Sequence, residues 1–288
     1  MTKKEKLIEP WKIFASTWRK ITSPGRPTKG EIEIYRKFLQ PVLKRKSAQI
    51  LILGATPELR DLLAPYKNIQ VVLVDINLEM ILAMIKFMKN KNPNEIWIKA
   101  DWIKAPLQEN YFDAVLGDFV LQNLPANLQS QLLFKIKKIL KPHGFFITRH
   151  HCYYQGYRQS INLEELFKIF SGWPANLKTA NAFWEIGVFC MSRTRSGEHR
   201  VIDFWNKIKK YYRGNERYYH PNSHIKKILE VGHQLLPLDK KWFNLTEKDF
   251  EKFLGKYFKT IDCECDFNIN LPPEYKDWAP IYQLRPKK

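Results

Sequence analysis

The 288-residue sequence predicts an α/β fold, a doubly wound, mostly parallel seven-stranded sheet whose last strand is antiparallel. Three observations carry this reading. Between Gln49 and Thr148, short apolar runs of strand length recur, separated by segments of helical pattern. Several of those runs lead into an acid or a glycine (Gly54, Asp75, Asp101, Gly117-Asp118), at the carboxyl ends where such sheets keep their ligands. After a long helix-rich stretch the chain returns to strand character near its C-terminus.

Taken in order, residues 1–47 read as an N-terminal helical cap or lid carrying Trp11, Trp18 and Tyr35, broken at Pro24-Gly25-Arg26-Pro27. Thr28 with Glu31 forms a capping box and starts a helix through Gln40, with Ile32, Tyr35, Phe38 and Leu39 on one face. Lys44-Arg45-Lys46 marks an exposed connection. Ile50–Leu53 is apolar throughout, as a strand buried on both faces should be. Thr56 at the N-cap, Pro57 at the first position and Glu58 in the first turn open a helix. A second buried strand, Val71–Val74, ends at Asp75, and Asn77 caps a helix to about Lys89. Ile96–Ile98 is a third strand, ending at Asp101-Trp102; Phe112–Leu116 is a fourth, ending at Gly117-Asp118. A helix from Pro125 to Leu140 precedes a turn at Lys141–Gly144 and a fifth strand, Phe145–Thr148.

Residues 48–150 therefore read as a Rossmann-like core with its ligand site at the carboxyl ends of the strands. Residues 151–257 read as a helical insertion and substrate cap, and 258–288 as a strand pair that completes the sheet, through Thr260–Cys265 and Pro280–Leu284.

Composition excludes several classes. Hydrophobic residues at 44% and charged residues at 27% give an ordinary globular balance, against wholesale disorder. Four cysteines without a CxxC pair suggest neither a disulfide scaffold nor a zinc ribbon. No metal site is expected. No apolar run approaches the roughly 20 residues of a membrane helix. The basic start, MTKKEKLIEP, runs into a proline and charges where a signal peptide needs its apolar stretch, so a soluble, cytoplasmic chain is expected. With 48 Lys and Arg against 29 Asp and Glu, the net charge of +19 favours anionic partners. Lysine outnumbers arginine throughout, which points to composition ahead of nucleic-acid recognition.

Gly54-Ala55-Thr56-Pro57 lies between the first strand and its helix, where a ligand meets a helix start. The dinucleotide fingerprint needs three glycines; with Gly54 alone, a pyrophosphate is poorly served and a single carboxylate fits better. Asp75 follows Gly54 by 21 residues, where an acid accepts both hydroxyls of a ribose. NAD enzymes use the same device, so Asp75 points to a ribose and leaves the cofactor open.

These segments, taken together, resemble class I S-adenosylmethionine-dependent methyltransferases. Ile50–Pro57 looks like their first motif in a glycine-poor form and Val71–Asp75 like the acidic second. Asp101-Trp102 is similar to the adenine-binding pair, Tyr111–Asp118 to the fourth-strand motif, and Ile139–Phe146 to the "LKPGG" turn, with His143 in place of a glycine. The resemblance covers residues 48–150 and, more loosely, 258–288. It implies S-adenosylmethionine as cofactor. Gly54, Ala55, Thr56 and Pro57 would underlie its methionine part, Asp75 would hold the ribose, and Ile76 would pack on the adenine. Asp101 would accept the adenine amino group, Trp102 would cover the ring edge, and Asp118 with Phe119 would face the methionine amino group and the sulfonium.

Methyl transfer is an in-line displacement, so positioning supplies much of the rate, and a base matters only where the nucleophile must lose a proton. His150, His151 and Asp118 are the candidates for that base; adjacent strand residues face opposite ways, so at most one histidine should enter the cleft. Trp18, Tyr35, Tyr153 and Tyr154 are the expected substrate contacts. A small-molecule acceptor is preferred to RNA. Arg193, Arg195, Arg200, Lys207, Lys209, Lys210, Arg213 and Arg217, interleaved with Tyr211, Tyr212, Tyr218 and Tyr219, keep RNA open, and a non-catalytic cofactor-binding partner or sensor is a third reading. Cys263 and Cys265 are expected to pack.

Overall fold

Four of the five apolar runs become the centre of one sheet because each is covered on both faces, whereas Ile96–Ile98 forms a largely exposed edge strand. In the computed structural model, which describes residues 18–152, 161–192, 198–213, 220–232, 238–269, 271–277 and 279–287, the strands are β1 (Ala48–Leu53), β2 (Ile69–Asp75), β3 (Ile96–Lys99), β4 (Phe112–Asp118) and β5 (Leu140–Arg149). β8 (Phe258–Glu264) and β9 (Ile281–Pro286) complete it in the order β3-β2-β1-β4-β5-β9-β8. Ile50 stands opposite Val71 on one side and Ala114 on the other, both parallel, whereas β9 runs antiparallel to β5 and to β8. Strand order reverses at β1 and β4, so their carboxyl ends open the crevice in which such sheets bind ligands.

Alternation assigns the faces. Ile50, Ile52, Val71, Ala114 and Ile147 meet Tyr35, Phe38, Leu39 and Val42 of α1 (Lys29–Leu43) and Leu59, Leu62 and Leu63 of α2 (Pro57–Leu63). Leu51, Leu53, Val72, Val115 and Phe146 meet Leu132, Leu133 and Ile136 of α4 (Ala126–Ile139). The Thr28–Glu31 capping box forms and starts α1, which lies on the sheet and not over the strand ends. Of the expected cap, Trp11 lies outside the described residues.

Several boundaries shift for local reasons. α3 (Leu78–Ile85), capped by Asn77, stops before Lys89, whose amide and that of Asn90 bond Asp61 Oδ1 at 2.8 Å. The turn expected at Lys141–Gly144 is a bulge within β5: Leu140 pairs with Phe112, Phe145 with Ala114, and the residues between loop out of register. In the insertion, α5 (Leu163–Phe170), α6 (Leu177–Met191), α7 (Val201–Tyr211) and α8 (Ser223–Gly232) pack around Phe167, Phe183, Trp184 and Phe204. An antiparallel ribbon that the sequence did not suggest, β6 (Glu198–Arg200) with β7 (Lys241–Phe243), sets His199 opposite Trp242. The last helix of the segment, α9 (Glu247–Leu254), turns Phe250 and Leu254 onto the sheet beside α4 and so belongs to the core layer. Cys263 is exposed and Cys265 half-buried, so the expected packing holds for neither fully.

Candidate functional site

At the carboxyl ends of β1, β2 and β4, a cavity of about 590 Å³ lies beneath the insertion. Gly54 leaves β1 with φ +94°, a left-handed backbone that favours glycine, and its amide donates to Val74 O at 2.9 Å. Trp102 Nε1 donates to the same carbonyl at 2.8 Å, so the indole lies against the Gly54 turn. Thr56 occupies the N-cap of α2, yet its side chain makes no capping bond. Asp75 Oδ1 accepts from the Asn77 amide at 2.8 Å, and burial pushes its pKa up to about 6 against that bond. Asp101 Oδ1 accepts from the Ile103 amide at 2.9 Å.

Gly54, Ala55, Thr56, Asp75, Ile76, Asp101, Trp102, Asp118, Phe119, His151 and Trp18 all line the cavity. Pro57 lies behind the loop, buried at the helix start. Two expected contacts are elsewhere. Tyr35 is wholly buried under the sheet; its hydroxyl donates to Gly117 O at 2.7 Å and accepts from the Arg149 amide at 2.9 Å, tying β4 to β5. His150 faces away and stacks on Phe250 with centroids 3.7 Å apart; burial lowers its pKa to about 3. Neither can touch a ligand in the cavity. Tyr153 and Tyr154 lie outside the described residues.

Asp118 is not placed as a free base. Arg149, at the end of β5, donates to Asp118 Oδ1 at 2.7 Å and to Glu31 Oε2 at 2.6 Å, with all three side chains buried. Burial raises both acids despite the arginine, and works against the Arg149 charge as well; Asp118 and Glu31 outweigh it and hold the guanidinium above its ordinary value. One arginine against two carboxyls leaves an acidic surplus beneath the cavity floor. Phe119 has φ +55° and lies between the Arg149 guanidinium and the His151 ring, each 4.0 Å from its centroid. Such a backbone costs of order 1–3 kcal/mol and persists only where neighbours hold it, here the Arg149 carbonyl and Asn123 Nδ2.

The opposite wall was missed in the sequence. Glu185 of α6 lies 3.6 Å from His151 Nε2, and burial drives the carboxyl up to about 8. Burial, with Arg149 nearby, drives His151 well below the usual imidazole range. Lys240 donates to Asn123 Oδ1 at 2.7 Å and is lowered to about 7 by burial. A signal for Glu185 was present: it is the one acid of its helix and interrupts an otherwise apolar run from Ala182 to Met191. Lys240 stands in a lysine-rich sequence and carried none.

Residues 54–148 match the family model described as a methyltransferase domain. That stretch is a methyltransferase domain. In fold the chain resembles CcbJ of Streptomyces caelestis (TM-score 0.57, 11% identity, 96% of each chain). It also resembles the Burkholderia thailandensis 1,6-didemethyltoxoflavin-N1-methyltransferase, solved with its substrate and S-adenosylhomocysteine (TM-score 0.52, 11% identity, 99% of this chain and 87% of that one). A Rhodobacter sphaeroides chain provisionally named a zinc-dependent alcohol dehydrogenase superposes as well (TM-score 0.57, 13% identity, 98% and 99%). At such identities the likeness is one of fold. No curated protein sequence matches the chain. Among the described residues, no three His, Cys, Asp or Glu side chains cluster as metal ligands, and no helix is long and apolar enough to cross a membrane.

Proposed function

We propose that this methyltransferase acts on a small-molecule acceptor enclosed beside its cofactor. The observation that carries the reading is that one continuous cavity joins the Gly54 turn, Asp75 and Trp102 to a wall of Trp18, Phe119, Phe189 and Trp242. A volume of about 590 Å³ is in the range of small-ligand pockets. On this reading the methionine part of S-adenosylmethionine lies over Gly54 and Ala55, its ribose on Asp75, and its adenine between Ile76 and Trp102. The acidic surplus at Asp118, Glu31 and Arg149 favours the cofactor's two cations. When bound, the cofactor supplies a methyl group on a sulfonium; the protein orients it and excludes water.

Among the described residues, the basic side chains that kept RNA open do not meet the cavity. Lys207, Lys210 and Arg213 are exposed around the end of α7, and none of the described basic residues 200–213 lines it. A cytoplasmic location goes with this reading, since the methyl donor is a soluble metabolite.

Calorimetric titration with S-adenosylhomocysteine and with NAD tests the assignment. S-adenosylhomocysteine is expected to bind and NAD not to. Asp75→Ala should weaken the former by about 1.5–3 kcal/mol, the loss of charge-assisted hydrogen bonds. Binding of NAD alone would overturn it.

A further inference from the structure

The cavity holds an acid that the cofactor contacts leave unused. Glu185 lies midway along α6, only 5% exposed, with Trp184 and Ile186 beside it in the apolar core of the insertion. Its carboxyl lines the cavity, and Oε2 makes no hydrogen bond within the described residues. Gly25 closes on the other oxygen: a Cβ there would stand 2.8 Å from Oε1. Aromatic rings stand beside the pair, since His151 rests on Phe119 at 4.0 Å and meets Phe189 edge-on at 4.8 Å. A buried carboxyl with an oxygen that accepts no hydrogen bond is costly, and an acid among aromatic rings in a closed site suits an organic ammonium ion.

The surrounding charges agree. Glu31 and Asp118 add negative charge from α1 and β4, Arg149 of β5 offsets part of it, and His151, itself near His150 and His199, resists protonation. Lys240 and Lys241 line the cavity on the β7 side, where Asn123 and the Trp242 ring hold the Lys240 ammonium.

We propose that the methyl acceptor is an amine, entering as an ammonium ion and held by Glu185 beside Phe119 and Phe189; this rests on the methyltransferase reading above. The ammonium gives one proton to the Glu185 carboxylate and becomes a neutral amine. The amine lone pair then forms the C–N bond as the C–S bond breaks, and that bond's electron pair returns to sulfur. Glu185 passes its proton to water.

Because burial holds Glu185 up to about 8, the empty site is protonated near neutrality, and an arriving ammonium must expel that proton. Affinity for the ammonium therefore rises with pH until about 8 and then levels.

The test is calorimetry with three probes of one shape, benzylamine, benzyl alcohol and benzoate, with and without S-adenosylhomocysteine. Benzylamine is expected to bind roughly tenfold or more tightly than benzyl alcohol at pH 8, with benzoate weakest. Near pH 7, buffers of different ionisation enthalpy should report release of close to one proton. Glu185→Gln should lose both the preference and the proton release while keeping its affinity for S-adenosylhomocysteine. A preference for benzoate would assign the site to Lys240 and overturn the proposal, as would equal binding of the three probes or a preference that survives in Glu185→Gln. Should that variant not fold, proton release by the wild type decides. Failure to bind S-adenosylhomocysteine would strike the methyltransferase reading, whereas failure of benzylamine alone strikes only the amine site.

Discussion

Asp75 shows how burial would tie a residue's charge to the ribose proposed for it. With its pKa up to about 6 in the empty protein, it keeps a proton that ribose hydroxyls would have it lose, since they donate to the carboxylate. Below about pH 6 the free protein thus binds more protons than the complex, and affinity for S-adenosylhomocysteine should fall about tenfold from pH 7 to pH 5. Calorimetry across that range checks it, and Asp75→Asn should flatten the profile. For folding the sign is the opposite of the usual aspartate: the raised pKa contributes stability below the unfolded value, and this is lost as pH rises through about 6. Arg149 sets a second test. Arg149→Met would strand Glu31 and Asp118 in the interior, and urea unfolding should register a loss of about 3–5 kcal/mol. Gly54, Asp75, Asp101 and Trp102 were legible in the sequence because a strand end fixes where each must stand. Glu31, Arg149 and Glu185 were not, because their roles depend on partners from distant elements: 118 positions separate Arg149 from Glu31. Glu31 was seen only as half of a capping box, and it serves both purposes at once.

Among the elements, strands were the most legible, since a continuous apolar run between turn residues leaves the chain few alternatives. Their ends and the helix ends depend on remote partners. Asp61 of α2 captures the amides that would have carried α3 onward, and nothing in residues 78–89 signals this. The bulge in β5 was read as a turn because Lys141-Pro142-His143-Gly144 is turn chemistry; the sheet absorbs it by slipping register. Gly144 is required there for space. A Cβ would stand 3.0 Å from Phe112 O and 3.1 Å from Asp113 O, backbone atoms that cannot turn aside. Gly144→Ala should therefore destabilise by about 1–3 kcal/mol in urea unfolding. Because the bulge lies at the opposite end of β5 from Arg149, affinity for S-adenosylhomocysteine should be unchanged.

At the scale of the molecule, the insertion is joined to the sheet through shared core. One apolar cluster runs from Leu73 of β2 and Met80 and Met84 of α3 through Trp18 to Phe167, Phe183 and Phe204 of the insertion. The cavity lies along that seam, so its lining is drawn from both parts, and on the proposed reading neither the cofactor site nor the acceptor site is complete alone. The net charge of +19 is a separate property of the same surface. It draws polyanions without selecting them, because a field of one sign acts on every phosphate alike. The two possible uses of that charge separate by salt. Binding that neutralises several phosphates should weaken by roughly 10³-fold between about 50 and 200 mM salt, whereas an enclosed small molecule responds far less. Once an acceptor is in hand, its kcat/KM should therefore change by less than about tenfold over that range. Replacing Lys207, Lys210 and Arg213 together with glutamine should leave kcat/KM within about twofold, because none of the three lines the cavity and exposed charges at a distance are largely screened. A steep loss of methyl transfer with salt, relieved by that triple variant, would instead make the basic face part of the acceptor site.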